Sequence, residues 1–195
     1  MAANKNYTVK FNRRNQNKTN YHRRLKLVKS HEIRLVIRLH LNNIIVQFVE
    51  YANKGDKVLI NVNSKSLVSF GWKGHRGNIP SAYLTGLYAG LLAKKKNIKK
   101  AILDSGSYTS IKGSRIYATL KGVIDSGIDI PHSKTILPSE DAISGKVISN
   151  YATMLSKNPE TYKKQFGNYI KQNIKPEQLS SHFEETKEKI MHGVN

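Results

Sequence analysis

No acidic residue occurs before Glu32. Across Lys10–Lys29 the chain reads KFNRRNQNKTNYHRRLKLVK, with Lys10, Arg13, Arg14, Lys18, Arg23, Arg24, Lys26 and Lys29 as its cations. Phe11, Tyr21 and His22 add flat rings, and Asn and Gln fill the gaps. Such a stretch repels itself in water and has no apolar face worth burying, so a core has to be built from Glu32 onward. Its charge calls for an anionic partner. The mixture of Arg, amides and rings suits a nucleic-acid backbone with accessible bases. Without a partner the same stretch is a solvated basic tail.

The rest of the composition decides between these readings. Lys and Arg number 33 against 13 Asp and Glu, a net charge of +20 in 195 residues. That self-repulsion is relieved by a polyanion. Apolar residues make up 38% of the chain, which implies a modest core and a large periphery. There is no cysteine, which excludes a disulfide framework, thiolate-held zinc and a thiol nucleophile, and leaves a cytoplasmic setting open. Purely apolar runs such as Ile44-Ile45-Val46 are far too short for a bilayer, so no membrane role is expected. The basic N-terminus lacks a signal peptide's apolar run, and the sequons at Asn6 and Asn17 then read as chance matches.

Taken in order, Thr19 to Lys29 is expected as a short basic helix. Ile33 to Leu41 alternates, with Ile33, Leu35, Ile37, Leu39 and Leu41 on one side and Arg34, Arg38 and His40 on the other. This predicts a half-buried strand with a basic outer face. Asn42-Asn43 is expected as a hairpin turn into a strand over 44–51, and Asn53 to Asp56 as a second turn into a strand over 57–63. The Gly-rich second half of Ser64–Pro80 predicts a loop holding the single tryptophan, Trp72. A helix over 81–96 follows. Its Ala82, Gly86, Gly90 and Ala93 form a small-residue stripe expected to let it approach a sheet. A short buried strand ends at Asp104, a helix spans 114–126 and stops at Gly127, and another spans 139–156 with Ile143, Val147, Tyr151 and Leu155 as its stripe. Helices starting at Pro159 and Pro176 form a tail that cannot make much core alone. The order β-β-β-α-β-α predicts an α/β domain with a mixed sheet, its fourth strand parallel because a helix precedes it. The expected division is a basic arm over 1–31, an α/β core over 32–150 and a helical extension over 151–195.

No catalytic constellation stands out. There is no phosphate-cradling GxxxxGK[ST] and no GxSxG elbow, and His31-Glu32 lacks the second histidine of a zincin because Leu35 takes that place. Glu50, Asp104, Asp125 and Asp129 at strand and helix ends are the one acidic set that would fit a two-metal nuclease, the alternative function. The stronger signals are basic. Trp72, Lys73, His75 and Arg76 lie in a glycine-spaced loop that would present a ring and cations to a backbone; for Trp72, plugging the sheet edge is an equal reading. Tyr108, Lys112, Ser114 and Arg115 precede or open a helix, where backbone N–H groups favour a phosphate and Arg115 adds a fork-shaped donor.

The segments GWKGHRGNIPSAYLTGLYAGLLAKKK, AILDSGSYTSIKGSRIYATLKGVIDSGIDIPHS and ILPSEDAISGKVI resemble, in order and spacing, the archaeal and eukaryotic form of the large-subunit ribosomal protein L-eighteen family. RRNQNKTNYHRRLKL is similar to that family's basic extension and RLVIRLHLNNIIVQFVEY to its first strands, so the likeness runs from Tyr7 to Ile148. The resemblance implies a structural, non-enzymatic protein of the cytoplasmic large ribosomal subunit. It implies 5S rRNA as the partner, attachment to large-subunit (23S-type) rRNA and to neighbouring proteins of the central protuberance, and no cofactor. RNA contacts are then expected from Lys10, Phe11, Arg13, Arg14, Lys18, Tyr21, His22, Arg23, Arg24 and Lys26 of the arm. From the core they are expected at Arg34, Arg38, Trp72, Lys73, His75, Arg76, Lys112 and Arg115.

Overall fold

The structure, a computed structural model, describes residues 8–193. The first seven residues of the expected arm, with the sequon at Asn6, lie outside the described residues. Within the arm, a single turn α1 (Asn12–Asn15) is followed by α2 (Tyr21–Val28). The side chain of Asn20 accepts a hydrogen bond from the Arg23 N–H and so caps the start of α2.

Three strands form the expected antiparallel meander: β1 (Arg34–Leu39), β2 (Ile44–Glu50) and β3 (Lys57–Asn63). Leu39 pairs with Ile44, and the His40 N–H donates to the Asn43 carbonyl at 2.8 Å. The turn is therefore centred on Leu41-Asn42, one residue earlier than Asn42-Asn43. That shift carries Leu41 out to the tip, 90% exposed, instead of into the core. A bulge beside Phe48 and Val49 shifts the pairing of β2 with β3, so that Leu59 has no opposite residue.

Ser64–Phe70 is a 3₁₀ helix, closed by Gly71 in the left-handed region, and a loop then leads to α3 (Ile79–Lys95). Asn78 caps α3 by accepting from the Ser81 N–H, and Pro80 occupies its first turn, where no N–H is missed. β4 (Ile102–Asp104) joins parallel to β1, and the sheet order is β3-β2-β1-β4. α4 (Arg115–Asp125) follows and stops at Gly127, which adopts a φ of +100°.

The helix expected over 139–156 is two helices, α5 (Glu140–Ser144) and α6 (Lys146–Leu155), because Gly145 turns left-handed between them. Gly145 packs so close to Leu179 and Pro80 that a Cβ there would touch both, at 3.3 and 3.4 Å. The break rotates the stripe. Ile143 and Ala152 are buried, while Val147 and Tyr151 face outward. The chain ends in α7 (Pro159–Lys171) and, after a 3₁₀ turn at Pro176–Gln178, α8 (Leu179–Gly193).

Two apolar cores share α3. The first lies between the sheet (Leu35, Ile37, Val46, Phe48, Val62) and the helices α3 and α4, which contribute Ala82, Ala89, Leu120 and Val123. The second gathers Leu67, Trp72, Tyr83, Leu84 and Leu87 with Ile143, Leu179, Phe183 and Ile190 of the C-terminal helices. The tail therefore docks by completing a core on the far side of α3. The small-residue stripe serves two neighbours: Ala82 and Ala93 lie in the core under the sheet, as expected, and the glycines meet α4. A Cβ on Gly86 would be driven into the Thr119 carbonyl, one on Gly90 into the Ser126 hydroxyl, and one on Gly122 of α4 into the Tyr83 carbonyl. These glycines bring α3 against α4, not against the sheet.

In an open helix Gly→Ala gains up to about 1 kcal/mol of helix propensity. At Gly86 or Gly122 the added methyl has backbone in its way, so overpacking wins, and each Gly→Ala variant is expected to lose about 1–3 kcal/mol in urea unfolding. A gain in stability at both positions would show that the two helices have room between them.

Candidate nucleic-acid interface

Two sets of cations emerge from the fold. One is committed inside the protein and the other is free. Arg34 is 2% exposed, on the sheet face expected to be basic and open. One guanidinium nitrogen donates to Asp104 Oδ2 at 3.0 Å and the other to Asp56 Oδ2 at 2.7 Å. Asp56 Oδ1 takes Arg24 of α2 at 2.8 Å. Burial works to raise the Asp56 carboxyl, but hydrogen bonds and charge from Arg34 and Arg24 outweigh it and hold it below the usual carboxylate range. Arg34 is thus a structural cation. Its expected RNA contact is corrected, because no face of the guanidinium reaches solvent.

The outer face of β1 is covered by the segment that follows β4. Tyr108 donates its hydroxyl to the Leu39 carbonyl at 2.7 Å, and the half-buried Arg38 packs its guanidinium against Gly106. The arm docks on this same segment. Arg23 donates to the Gly106 carbonyl at 3.1 Å and to the Ser105 hydroxyl at 2.9 Å, and the Ser107 hydroxyl donates to the Asn17 carbonyl at 3.3 Å. With the Arg24–Asp56 pair, these contacts tie α2 to the domain. The protein's own side chains thus seat α2 on the domain.

Beyond these anchors, Lys10, Arg13, Arg14, Lys18, His22 and Lys26 are all exposed. Phe11 is 71% exposed and pairs with Tyr21, ring centroids 5.2 Å apart. A recess of about 390 Å³ between arm and domain is lined by Arg14, Asn17, Tyr21, Arg23, Gly106 and Ser107 among others. It offers cations, amides and a ring at one point, the combination that holds a nucleotide.

The 72–78 loop is built differently from the expectation. Trp72 is 1% exposed and stacks on His182 of α8, with centroids 5.2 Å apart and planes 11° from parallel. It plugs the second core and cannot offer a face to a base, so its expected RNA contact is corrected. Lys73 and His75 are exposed and Arg76 is half-buried. The His182 Nε2 accepts from the Lys73 backbone N–H at 3.1 Å. Arg115 donates to the Gly77 carbonyl at 2.9 Å and to the His40 carbonyl at 3.3 Å, which fastens this loop to the hairpin tip and leaves Arg115 half-buried. Lys112 is exposed beside it.

The carboxylates considered for a metal do not act together. Asp104 is engaged by Arg34, and Asp125 accepts from the Tyr83 hydroxyl at 2.9 Å and from Lys121 at 2.7 Å. No group of three potential metal ligands occurs among the described residues. The contributions that sequence reading missed are Asp56, whose turn position hides its role, and the tail aromatics Tyr151, Phe166 and Tyr169. Tyr151 lies on α6 while Phe166 and Tyr169, three residues apart, lie on α7, so no spacing in the chain says which of these rings meet or which stay open.

Two tests follow from this geometry. Arg34→Met strands a buried carboxylate and is expected to cost about 3–5 kcal/mol in chemical unfolding. Arg14→Met, on the open arm, is expected to stay within about 0.5 kcal/mol. Burial holds the His182 pKa below the ordinary 6.5, with Glu185 pulling it up and Lys73 and Lys189 pushing it further down. His75 is lowered too, by burial and then by Arg115 and Arg76. The folded chain then binds fewer protons than the unfolded one below pH 6.5. This stabilisation is complete above the unfolded value and lost as pH falls through the folded values. The thermal midpoint should drop on acidification from about pH 7 to about pH 5, and His182→Gln, which keeps an acceptor but does not titrate, should flatten that drop. An unchanged pH profile in the variant would remove His182 from the account.

A family model described as ribosomal large subunit proteins 60S L5 and 50S L18 matches residues 5–99 and 90–133. The chain is also similar to the large ribosomal subunit protein uL18 of Methanococcus maripaludis, 46% identical over 191 residues that cover 98% of this chain and 99% of that protein.

Proposed function

Because the chain belongs to the family of the ribosomal large subunit proteins 60S L5 and 50S L18, we propose that it holds 5S rRNA and attaches it to 23S-type rRNA in the central protuberance. Membership makes the protein a structural, non-enzymatic constituent of the cytoplasmic large subunit, with rRNA and ribosomal proteins as its partners. The finer assignment rests on one observation above all. The arm keeps six exposed side chains (Lys10, Arg13, Arg14, Lys18, His22 and Lys26) on and around two short helices, the second of them anchored to the domain, with no acidic residue between them.

The functional division follows the cations. The arm, 1–31, supplies phosphate contacts, and Phe11 with Tyr21 supplies a stacking surface for 5S bases. Arg23 and Arg24 act at its base as anchors, with their remaining donors available to the backbone. The core, 32–150, carries a second basic strip at Lys73, His75, Arg76 and Lys112, with Arg115 fastening the loop beneath it and Arg38 on the outer face of β1 beside Gly106. The extension, 151–195, braces the 72–78 loop through His182 and leaves its outer surface to neighbouring ribosomal proteins.

If about six phosphates are neutralised, 5S affinity falls with salt along a log–log slope of roughly −4 to −5. Replacing Arg13, Arg14 and Lys18 together by Gln should weaken 5S binding and make that slope shallower by roughly 2 to 3, with the unfolding transition unchanged. Retention of wild-type affinity and slope in a filter-binding series would move the 5S site off the arm.

A further inference from the structure

Beyond the hairpin tip lies a groove of about 940 Å³, walled on one side by the 72–78 loop and on the other by α6 and α7. It shares no lining residue with the arm recess. Its size reaches the upper end of the range of small-molecule sites, roughly 300–1,000 Å³, and admits a nucleotide with room to spare.

Its chemistry is one-sided. Tyr151, Phe166 and Tyr169 form an aromatic wall. Tyr151 is 45% exposed, with its ring 6.1 Å from the buried Phe166, which in turn meets Tyr169 edge-on at 6.0 Å. The Tyr169 hydroxyl accepts from the His75 N–H at 3.4 Å, so the aromatic wall is tied to the basic one. Lys73 and Arg76 stand on the opposite wall, and Gln165, Asn168 and Gln172 of α7 add amides. No carboxylate occurs among the described residues that line it.

A protein partner's apolar segment would be served by the rings alone and gains nothing from the amides. An acidic peptide would use the cations but leave the rings idle. An unpaired stretch of RNA uses all three. Its phosphates meet Lys73 and Arg76, a base stacks on the open face of Tyr151, and the amides reach base edges. We propose that this groove is a second RNA site, receiving an unpaired segment of rRNA, with Tyr151 as its stacking platform. The proposal rests on the reading of the chain as an rRNA-binding protein, but not on the arm's contact with 5S rRNA.

Trp72, the chain's single tryptophan, lines the groove and reports on it. Titrating the full chain with single-stranded hexaadenylate should quench its fluorescence. Tyr151→Ala, at a site open enough to leave the fold intact, should weaken that response about tenfold while 5S affinity stays within about twofold. The arm variant with Arg13, Arg14 and Lys18 replaced by Gln should do the reverse. Quenching that survives Tyr151→Ala but disappears in the arm variant would overturn the proposal, as would stronger quenching by hexaglutamate than by hexaadenylate. Failure of wild-type 5S binding alongside intact, Tyr151-dependent quenching would overturn the arm assignment and uphold the groove.

Discussion

Everything in this fold hangs on how closely α3 lies against α4. Gly86 and Gly90 on one helix and Gly122 on the other remove the side chains that would hold the backbones apart. The tight crossing frees the remaining sides of α3. One turns Ala82, Ala89 and Ala93 to the sheet, and another turns Tyr83, Leu84 and Leu87 to the C-terminal helices. A helix buried on every side has no amphipathic stripe, and α3 reads as apolar nearly all round. It thereby joins two cores, each too small to be a domain, into one body.

A protein with a charge of +20 must decide which cations are structural. Arg34 is drawn into the interior because two carboxylates, from the β2–β3 turn and from the end of β4, converge on it. A buried ion pair of this kind gives little net stability against an apolar alternative, but it is costly to break from one side. What it adds here is position. Asp56 holds Arg34 with one oxygen and Arg24 with the other, so the core and the base of the arm share a carboxylate. The arm's outer cations are then presented from a fixed point, which lowers the ordering entropy that RNA binding has to overcome.

The tail has a comparable double use. Leu179, Phe183 and Ile190 bury themselves against α3, and His182 stacks on Trp72 and accepts a hydrogen bond from the loop that carries Lys73 and Arg76. Packing on one side of the tail thus sets the shape of the basic loop on the other. The left-handed Gly145 separates α5 from α6, on which Tyr151 faces outward.

Much of this was legible in the chain's own pattern. Alternation through Ile33–Leu39, the turn residues, the Pro-started helices and the Gly127 stop pointed to the meander, the parallel fourth strand and most helix limits, because these depend on local geometry and on which face is apolar. The basic arm was equally plain, since charge composition needs no fold to be read. Partners at long range were not. Nothing in the alternation distinguishes Arg34 from Arg38, yet one meets Asp56 and Asp104 and is buried while the other stays half-open. Trp72 gave equal support to a binding face and a core plug until α8 supplied His182 to cover it. The sequence by itself determined which elements form and that the chain seeks a polyanion, through local propensity and net charge. Only the tertiary structure decided which cations and rings are left to meet it, because that depends on contacts between residues as far apart as Trp72 and His182.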